Sequence, residues 1–321
     1  MDVLVYLIQN TLPVMIPLLL VALGGMFSER SGVINIALEG IMLIGAFIGT
    51  LCVFFVQGTG LDPQVILLIG MLAAAVAGIV YSLLLGVAAI HLKADQTISG
   101  TALNMFAPAI MLLVCKMAFM SDGVTTSVAF YIQKIPVLGD IPLIGELFFQ
   151  KTYATVGIGI FILVVSTIFL YKTKLGLRLR ACGEHPQAAD SVGINVYKMR
   201  YLGVCLSGFL GGVGGFFYAV SIMDGNSNGH TGVAGFGFLA LAVMIFGQWN
   251  PVSIFFAALF FAFLRTVAYS VPLIPFLAAL GIDNAIYKML PYIVTMVILA
   301  FTSKKSRAPK AEGIPYDKGQ R

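Results

Sequence analysis

Long apolar runs separated by short polar connectors set the plan of this chain. The runs cover 3–27, 33–56, 65–90, 96–119, 152–171, 201–222, 232–248, 252–270 and 286–302. Most have the roughly 20 residues needed to cross a bilayer core as a helix. The pattern therefore predicts an all-α integral membrane protein, a polytopic helical bundle of about nine transmembrane helices within a range of eight to ten. The range reflects two segments. Run 33–56 opens on polar residues, and the short apolar stretch 271–284 has room for a re-entrant or broken helix. The first run starts at Val3 with no basic flank and is too long for a signal-peptide core, so it reads as a first span. One long connection, 120–151, carries turn signals at Asp122-Gly123, Pro136, Gly139-Asp140, Pro142 and Gly145. The last segment, 303–321, is polar and holds Pro309 and Pro315, which predicts a mobile tail. The expected organisation is one membrane domain over 1–302, a tail over 303–321 and no soluble domain.

Composition supports the membrane reading: 59% of the 321 residues are hydrophobic and only 10% are charged. Soluble domains carry about a quarter charged residues. Charge placement then predicts orientation. Arg30, the Lys93 loop, the 172–200 loop and the tail hold 14 of the 19 Lys and Arg residues. By the positive-inside rule these segments belong on the cytoplasmic side, with the C-terminus. Nine spans would then leave the N-terminus outside. The net charge of +5 lies in loops, so no nucleic-acid partner is implied. The cysteines, Cys52, Cys115, Cys182 and Cys205, have no C-x-x-C spacing and read as small hydrophobes. The three histidines show no metal-ligand spacing, so no metal site is expected.

Four features carry candidate chemistry or mechanics. After Tyr201, Gly203, Ser207, Gly211 and Gly215 recur every four residues, with Gly208 and Gly212 beside them. Small residues at that spacing make a flat stripe for close helix packing. Ser31, Asn35 and Glu39 are also four apart and would share one helical face; Thr97, Thr101 and Asn104 would share another. A carboxylate in a span costs about 2.5–3.5 kcal/mol at mid-bilayer, so Glu39 is a candidate functional group. The alternative for Glu39 is a capping or pairing role. Arg265 is equally conspicuous within its span, with Asp283 as a candidate partner. The segment "GLRLRACGEHPQAADSVGINVYKMR", Gly176 to Arg200, is dense in charge. Pro186 suits the first turn of a short helix and Gly193 its end. Ala188, Ala189 and Val192 would lie on one side of it. Two turns of helix are not stable alone in water. This one must rest on its own bundle or on a partner.

That segment resembles the cytoplasmic coupling loop of ABC importer permeases of the branched-chain amino acid, ribose and nucleoside group. "FSERSGVINIALEGIMLIGAF" from Phe27, "KADQTISGTALN" from Lys93, "SGFLGGVGGFFYA" from Ser207, "IFGQWNP" from Ile245 and "APKAEGI" from Ala308 resemble the nucleoside branch. The resemblance implies a non-catalytic subunit of a bacterial importer in the cytoplasmic membrane. It would translocate nucleosides together with a second, different permease chain. A cytoplasmic ATPase would hold ATP and Mg, and an extracellular lipoprotein would deliver substrate. No cofactor is expected on this chain, which lacks G-x-x-x-x-G-K-[ST]. The resemblance assigns coupling to Gly183, Glu184, Pro186, Ala188, Ala189, Asp190 and Gly193. The position of Arg178 and Arg180 makes them inner-surface anchors. A nucleoside path needs aromatic faces and amide or hydroxyl partners. Residue type nominates Asn35, Glu39, Thr101, Asn104, Phe236 and Phe238. Two alternatives stay open: a sugar or branched-chain amino acid permease of the same family, and an ion-coupled secondary transporter using Glu39. An intramembrane enzyme has no paired catalytic motif behind it.

Overall fold

The computed structural model describes residues 2–134, 145, 150–228, 232–274, 283–302 and 307–319. Its helices are α1 (Asp2–Arg30), α2 (Leu38–Val56), α3 (Pro63–Gly86), α4 (Gln96–Phe119) and α5 (Ala154–Lys172). Then follow α6 (Lys174–Glu184), α7 (Pro186–Ser191), α8 (Val196–Ser221), α9 (Phe236–Phe246), α10 (Pro251–Tyr269) and α11 (Asn284–Thr302). Among the described residues seven helices are long and apolar enough to cross a membrane, and two shorter apolar helices lie at 236–246 and 285–297. A helix forms within each of the nine expected runs, and seven of these helices have the length and hydropathy of a span among the described residues. At 11 residues, α9 spans about 16 Å, half a hydrocarbon core.

Local sequence explains the boundaries. Asp62 accepts from the amide of Gln64 and starts α3 ahead of Pro63. Asp95 accepts from the amide of Ile98 and starts α4, and Asn195 does the same for α8 through the amide of Lys198. Run 33–56 differs from expectation. Residues 31–37 form a turn, with Gly32 at φ +94°, and the helix begins only at Leu38. Ser31, Asn35 and Glu39 therefore share no helical face.

The bundle is built around α8. A Cβ on Gly208 would strike Ser82 and the Gly78 carbonyl of α3, one on Gly212 the Ala74 carbonyl, and one on Gly215 the Met42 carbonyl of α2. Gly203 and Gly211 sit equally close to Ser31 and Ile41, and Ser207 presents its carbonyl to Gly24 of α1. The small-residue stripe thus lets α1, α2 and α3 approach one helix at backbone distance. Leu72, Val76 and Val80, four residues apart on α3, are exposed. Such a face suits lipid rather than water.

The two ends of the bundle differ. At one, two short antiparallel ribbons join connections: β1 (Gly123–Thr125) with β4 (Asn226–Asn228), and β2 (Tyr131–Lys134) with β3 (Gln150–Tyr153). They give the 120–151 connection order that its turn residues did not announce. Pro136, Gly139, Asp140 and Pro142 lie outside the described residues. At the other end the four basic segments converge. Arg30 faces Glu184 at 3.7 Å, Lys93 faces Asp317 at 2.8 Å, and Arg200 donates to the Ile314 carbonyl. Over 307–319 the tail departs from the expected mobility. Residues 307–319 lie on the bundle, with Pro309, Ala311 and Tyr316 buried. Burial of these apolar groups outweighs the tail's polar composition.

Candidate functional site

The basic end carries a hub at the close of α1. Glu29 is 3% exposed and accepts the Trp249 indole N–H at 2.5 Å. The next residue, Arg30, donates through Nε and Nη2 to the Trp249 carbonyl at 3.3 and 3.1 Å. Trp249 sits in the turn between α9 and α10, where Gln248 and Trp249 adopt φ of +51° and +52°. Two successive non-glycine residues in the left-handed region are uncommon, and the α1 contacts hold this turn in place.

The 172–200 segment docks on the same hub. Thr173 accepts from the amide of Gly176 and starts α6. A Cβ on Gly183 would strike the Arg30 carbonyl, so the end of α6 lies directly on the end of α1. Pro186 opens α7 and Gly193, at φ +84°, closes it; the Gly193 amide donates to the Asp190 carbonyl. The expected apolar side of α7 is divided. Pro186 and Ala189 are buried, while Ala188 is exposed and Val192 is 74% exposed. Arg178 is exposed, and Arg180 lies over the Tyr171 ring at 5.1 Å. Burial pushes the Cys182 thiol beneath this loop up to about 11, so it is a packed hydrophobe rather than a nucleophile.

The opposite end holds a cavity of about 810 Å³. Five tyrosines line it, Tyr6, Tyr131, Tyr153, Tyr218 and Tyr269, with Asn10, Asp224 and Arg265. Tyr131 and Tyr153 meet edge to face at 5.5 Å, held by the β2–β3 ribbon. The Arg265 guanidinium lies 4.0 Å over Phe236 and 5.2 Å from Tyr269. Phe236 in turn packs edge-on to Tyr218 at 4.5 Å. The expected Arg265–Asp283 pair is not formed: Asp283 accepts from the amide of Ala285, and Arg265 rests on aromatic faces instead.

None of the six path residues nominated from residue type lines this cavity. Asn35 donates to Ser207 Oγ at 2.8 Å. Asn104 accepts from the amide of Gly40 and donates to the Ile36 carbonyl, both at 2.8 Å. These amides pin the turn before α2. Thr101 is exposed and bonds back to the Thr97 carbonyl, and Phe238 is 49% exposed. Phe236 is buried behind Tyr218 and Arg265. The Glu39 carboxylate accepts from the amides of Gly235 at 2.9 Å and Gly237 at 2.6 Å. It thereby caps α9, whose own N-cap is a glycine with no side chain to offer. A Cβ on Gly237 would strike the Glu39 backbone, so α9 begins directly on α2. The α9–α10 hairpin therefore connects both ends: its turn grips Glu29 and Arg30, and Phe236 and Arg265 back the cavity.

Sequence reasoning missed Trp249, Glu29 and the cavity tyrosines. Trp249 is the sole tryptophan of the chain and sits in a turn, which is a signal. The tyrosines, scattered from position 6 to 269, offered none.

Residues 7–299 match the family model described as branched-chain amino acid transport system / permease component. The guanosine ABC transporter permease protein NupQ of Bacillus subtilis is 44% identical over 100% of this chain and 99% of that protein. The nucleoside ABC transporter permease protein NupC of Lactococcus lactis is 39% identical over 98% of this chain and 97% of its own length. The putative glucose ABC transporter permease protein TsgC13 of Haloferax volcanii is 31% identical over 92% and 91%. No solved structure matches.

Proposed function

The chain belongs to the branched-chain amino acid transport system permease family, and from that premise we propose that it is the membrane-spanning subunit of an ATP-driven nucleoside importer. The observation carrying the substrate reading is end-to-end likeness to permeases named for guanosine and for nucleosides, at higher identity than to a permease named for glucose. The tyrosine-lined cavity supports it. A purine or pyrimidine base presents flat faces that stack on aromatic rings, and its sugar hydroxyls suit Asn10 and Asp224. The volume falls within the 300–1,000 Å³ or so typical of small-molecule sites.

In this reading the cavity end faces outward, toward a substrate-binding lipoprotein. The basic end and the C-terminus face the cytoplasm of a bacterial cell, as the positive-inside rule requires. There α7, flanked by Gly183, Glu184 and Gly193 and with Arg178 and Arg180 at the membrane surface, meets an ATPase that binds ATP and Mg. A second permease chain completes the path. Displacement of α7 pulls on Arg30 through Glu184 and Gly183, then on the Trp249 turn, and the α9–α10 hairpin carries it to Phe236 and Arg265. In this reading Glu39 acts as the fixed cap of α9 rather than as an ion site, supported by the Gly235 and Gly237 amides that donate to it.

Reconstitution with the ATPase, sister permease and binding lipoprotein tests the proposal. ATP-dependent guanosine uptake is expected, blocked when Tyr218 and Tyr269 are replaced by alanine. Uptake driven by a proton gradient without ATP, or uptake of glucose in preference to nucleosides, would overturn it.

A further inference from the structure

The segment after α11 returns to the bundle and touches three elements of the basic end. The Ala311 amide donates to the Gly183 carbonyl at 2.9 Å, at the root of α7. The Arg307 amide donates to Gln248 Oε1 at 2.9 Å, in the α9–α10 turn. Asp317 pairs with Lys93 of the α3–α4 connection at 2.8 Å. Between these contacts Tyr316, 4% exposed, sinks into a cluster with Cys182, Ala189 and Val196. Its ring meets Tyr197 edge-on at 5.4 Å, and its hydroxyl lies near the Asp190 carboxylate of α7.

Two groups oppose this docking. Arg200 is 1% exposed, and its guanidinium has one acceptor among the described residues, the Ile314 carbonyl at 2.9 Å; Nε and Nη1 have none. Glu312 brings a second carboxyl against Glu29, so that the two share a proton or repel, and its buried Oε2 has no hydrogen-bond donor among the described residues. Burying poorly satisfied charge is costly, and lifting the segment would return both groups to water. Apolar burial, with the Ala311 and Arg307 amide bonds and the Lys93–Asp317 pair, thus holds the segment down against a standing electrostatic cost.

We propose that residues 307–319 form a latch on the coupling loop, in which Tyr316 is a positioning residue that locks α7 to the rest of the basic end. With the latch closed, α7 moves as one body with the α3–α4 connection and the Trp249 turn. With it open, α7 moves alone and ATP hydrolysis no longer drives transport. The inference rests on the reading of the chain as an ATP-driven permease.

The test uses the assembled complex in lipid and two readouts. Hydrogen exchange of amides 186–199 does not depend on which substrate is carried, so a wrong substrate would not obscure it. Nucleoside moved per ATP hydrolysed reports coupling. Tyr316→Ala is expected to speed exchange about tenfold, because α7 then opens locally, and to lower the coupling ratio with ATPase retained. Tyr316→Phe, which keeps the ring, should restore most of both. Glu312→Gln should slow exchange by removing a buried charge. Should Tyr316→Ala fail to assemble, Asp317→Lys at the exposed Lys93 contact decides, with exchange faster about two- to threefold and Lys93→Asp restoring it. Unchanged exchange and coupling in Tyr316→Ala, or unchanged exchange in Asp317→Lys where that variant decides, would overturn the latch.

Discussion

Replacing Glu39 separates a capping carboxylate from an ion site. Its two oxygens accept from the Gly235 and Gly237 amides, the first free N–H groups of α9. Leaving a buried donor unmade costs roughly 1–3 kcal/mol, so Glu39→Ala should destabilise the entry to α9 by about 2–6 kcal/mol gross. Some of that is returned because a largely buried charge also disappears. Glu39→Gln keeps one acceptor oxygen and turns an NH2 toward the other amide. It should lose about one bond, roughly 1–3 kcal/mol. The cap reading therefore predicts a graded series, with Gln intermediate between Glu and Ala. The assay is thermal inactivation of ATP-driven uptake in proteoliposomes, scored beside initial uptake rate. An ion site predicts another order, in which Gln, unable to ionise, is as inactive as Ala while its stability is normal. That outcome, or full stability of Glu39→Ala, would refute the reasoning.

Other predictions follow from neighbouring contacts. Gly212→Leu drives a side chain into the Ala74 carbonyl and should cost about 1–3 kcal/mol or more, read as lost yield of folded protein. Arg265→Ala removes contacts with Phe236 and Tyr269 worth roughly 0.5–2 kcal/mol and should slow nucleoside uptake while leaving basal ATPase intact. Glu184→Arg sets two cations face to face at Arg30 and should abolish substrate-stimulated ATPase without preventing insertion; deletion of 186–192 should do the same. Burial raises the Glu312 carboxyl above its ordinary range, despite the opposing Glu29 hydrogen bond and Arg30 charge. A raised acid favours the closed tail below its ordinary value, and that support is lost as pH rises through the shifted one. Tail protection should therefore weaken as pH rises from acid toward neutrality, and Glu312→Gln should flatten the profile.

The spans were legible because hydropathy needs no tertiary context; α4 runs from 96 to 119 as the pattern predicts, with Asp95 as its cap. The short helix at Pro186 was legible for the same reason, since proline and glycine punctuate it locally. The turn at 31–37 was not. Gly32 lies beneath Arg200, and Asn35 is tied to Ser207, both contacts with a helix some 170 residues away. The same distance hid Glu39's role, because the amides it caps belong to positions 235 and 237. Tail docking was concealed by composition: a polar stretch with two prolines reads as mobile until Tyr316 is seen to have a pocket.

In the proposed function this chain passes nucleosides when a partner's ATPase moves its coupling loop. Uptake of labelled guanosine by the reconstituted complex, with and without ATP and with Glu184→Arg as the uncoupled control, measures it directly. Uptake is expected only with ATP and only in the wild-type loop. ATP-independent accumulation, or equal uptake by Glu184→Arg, would contradict it.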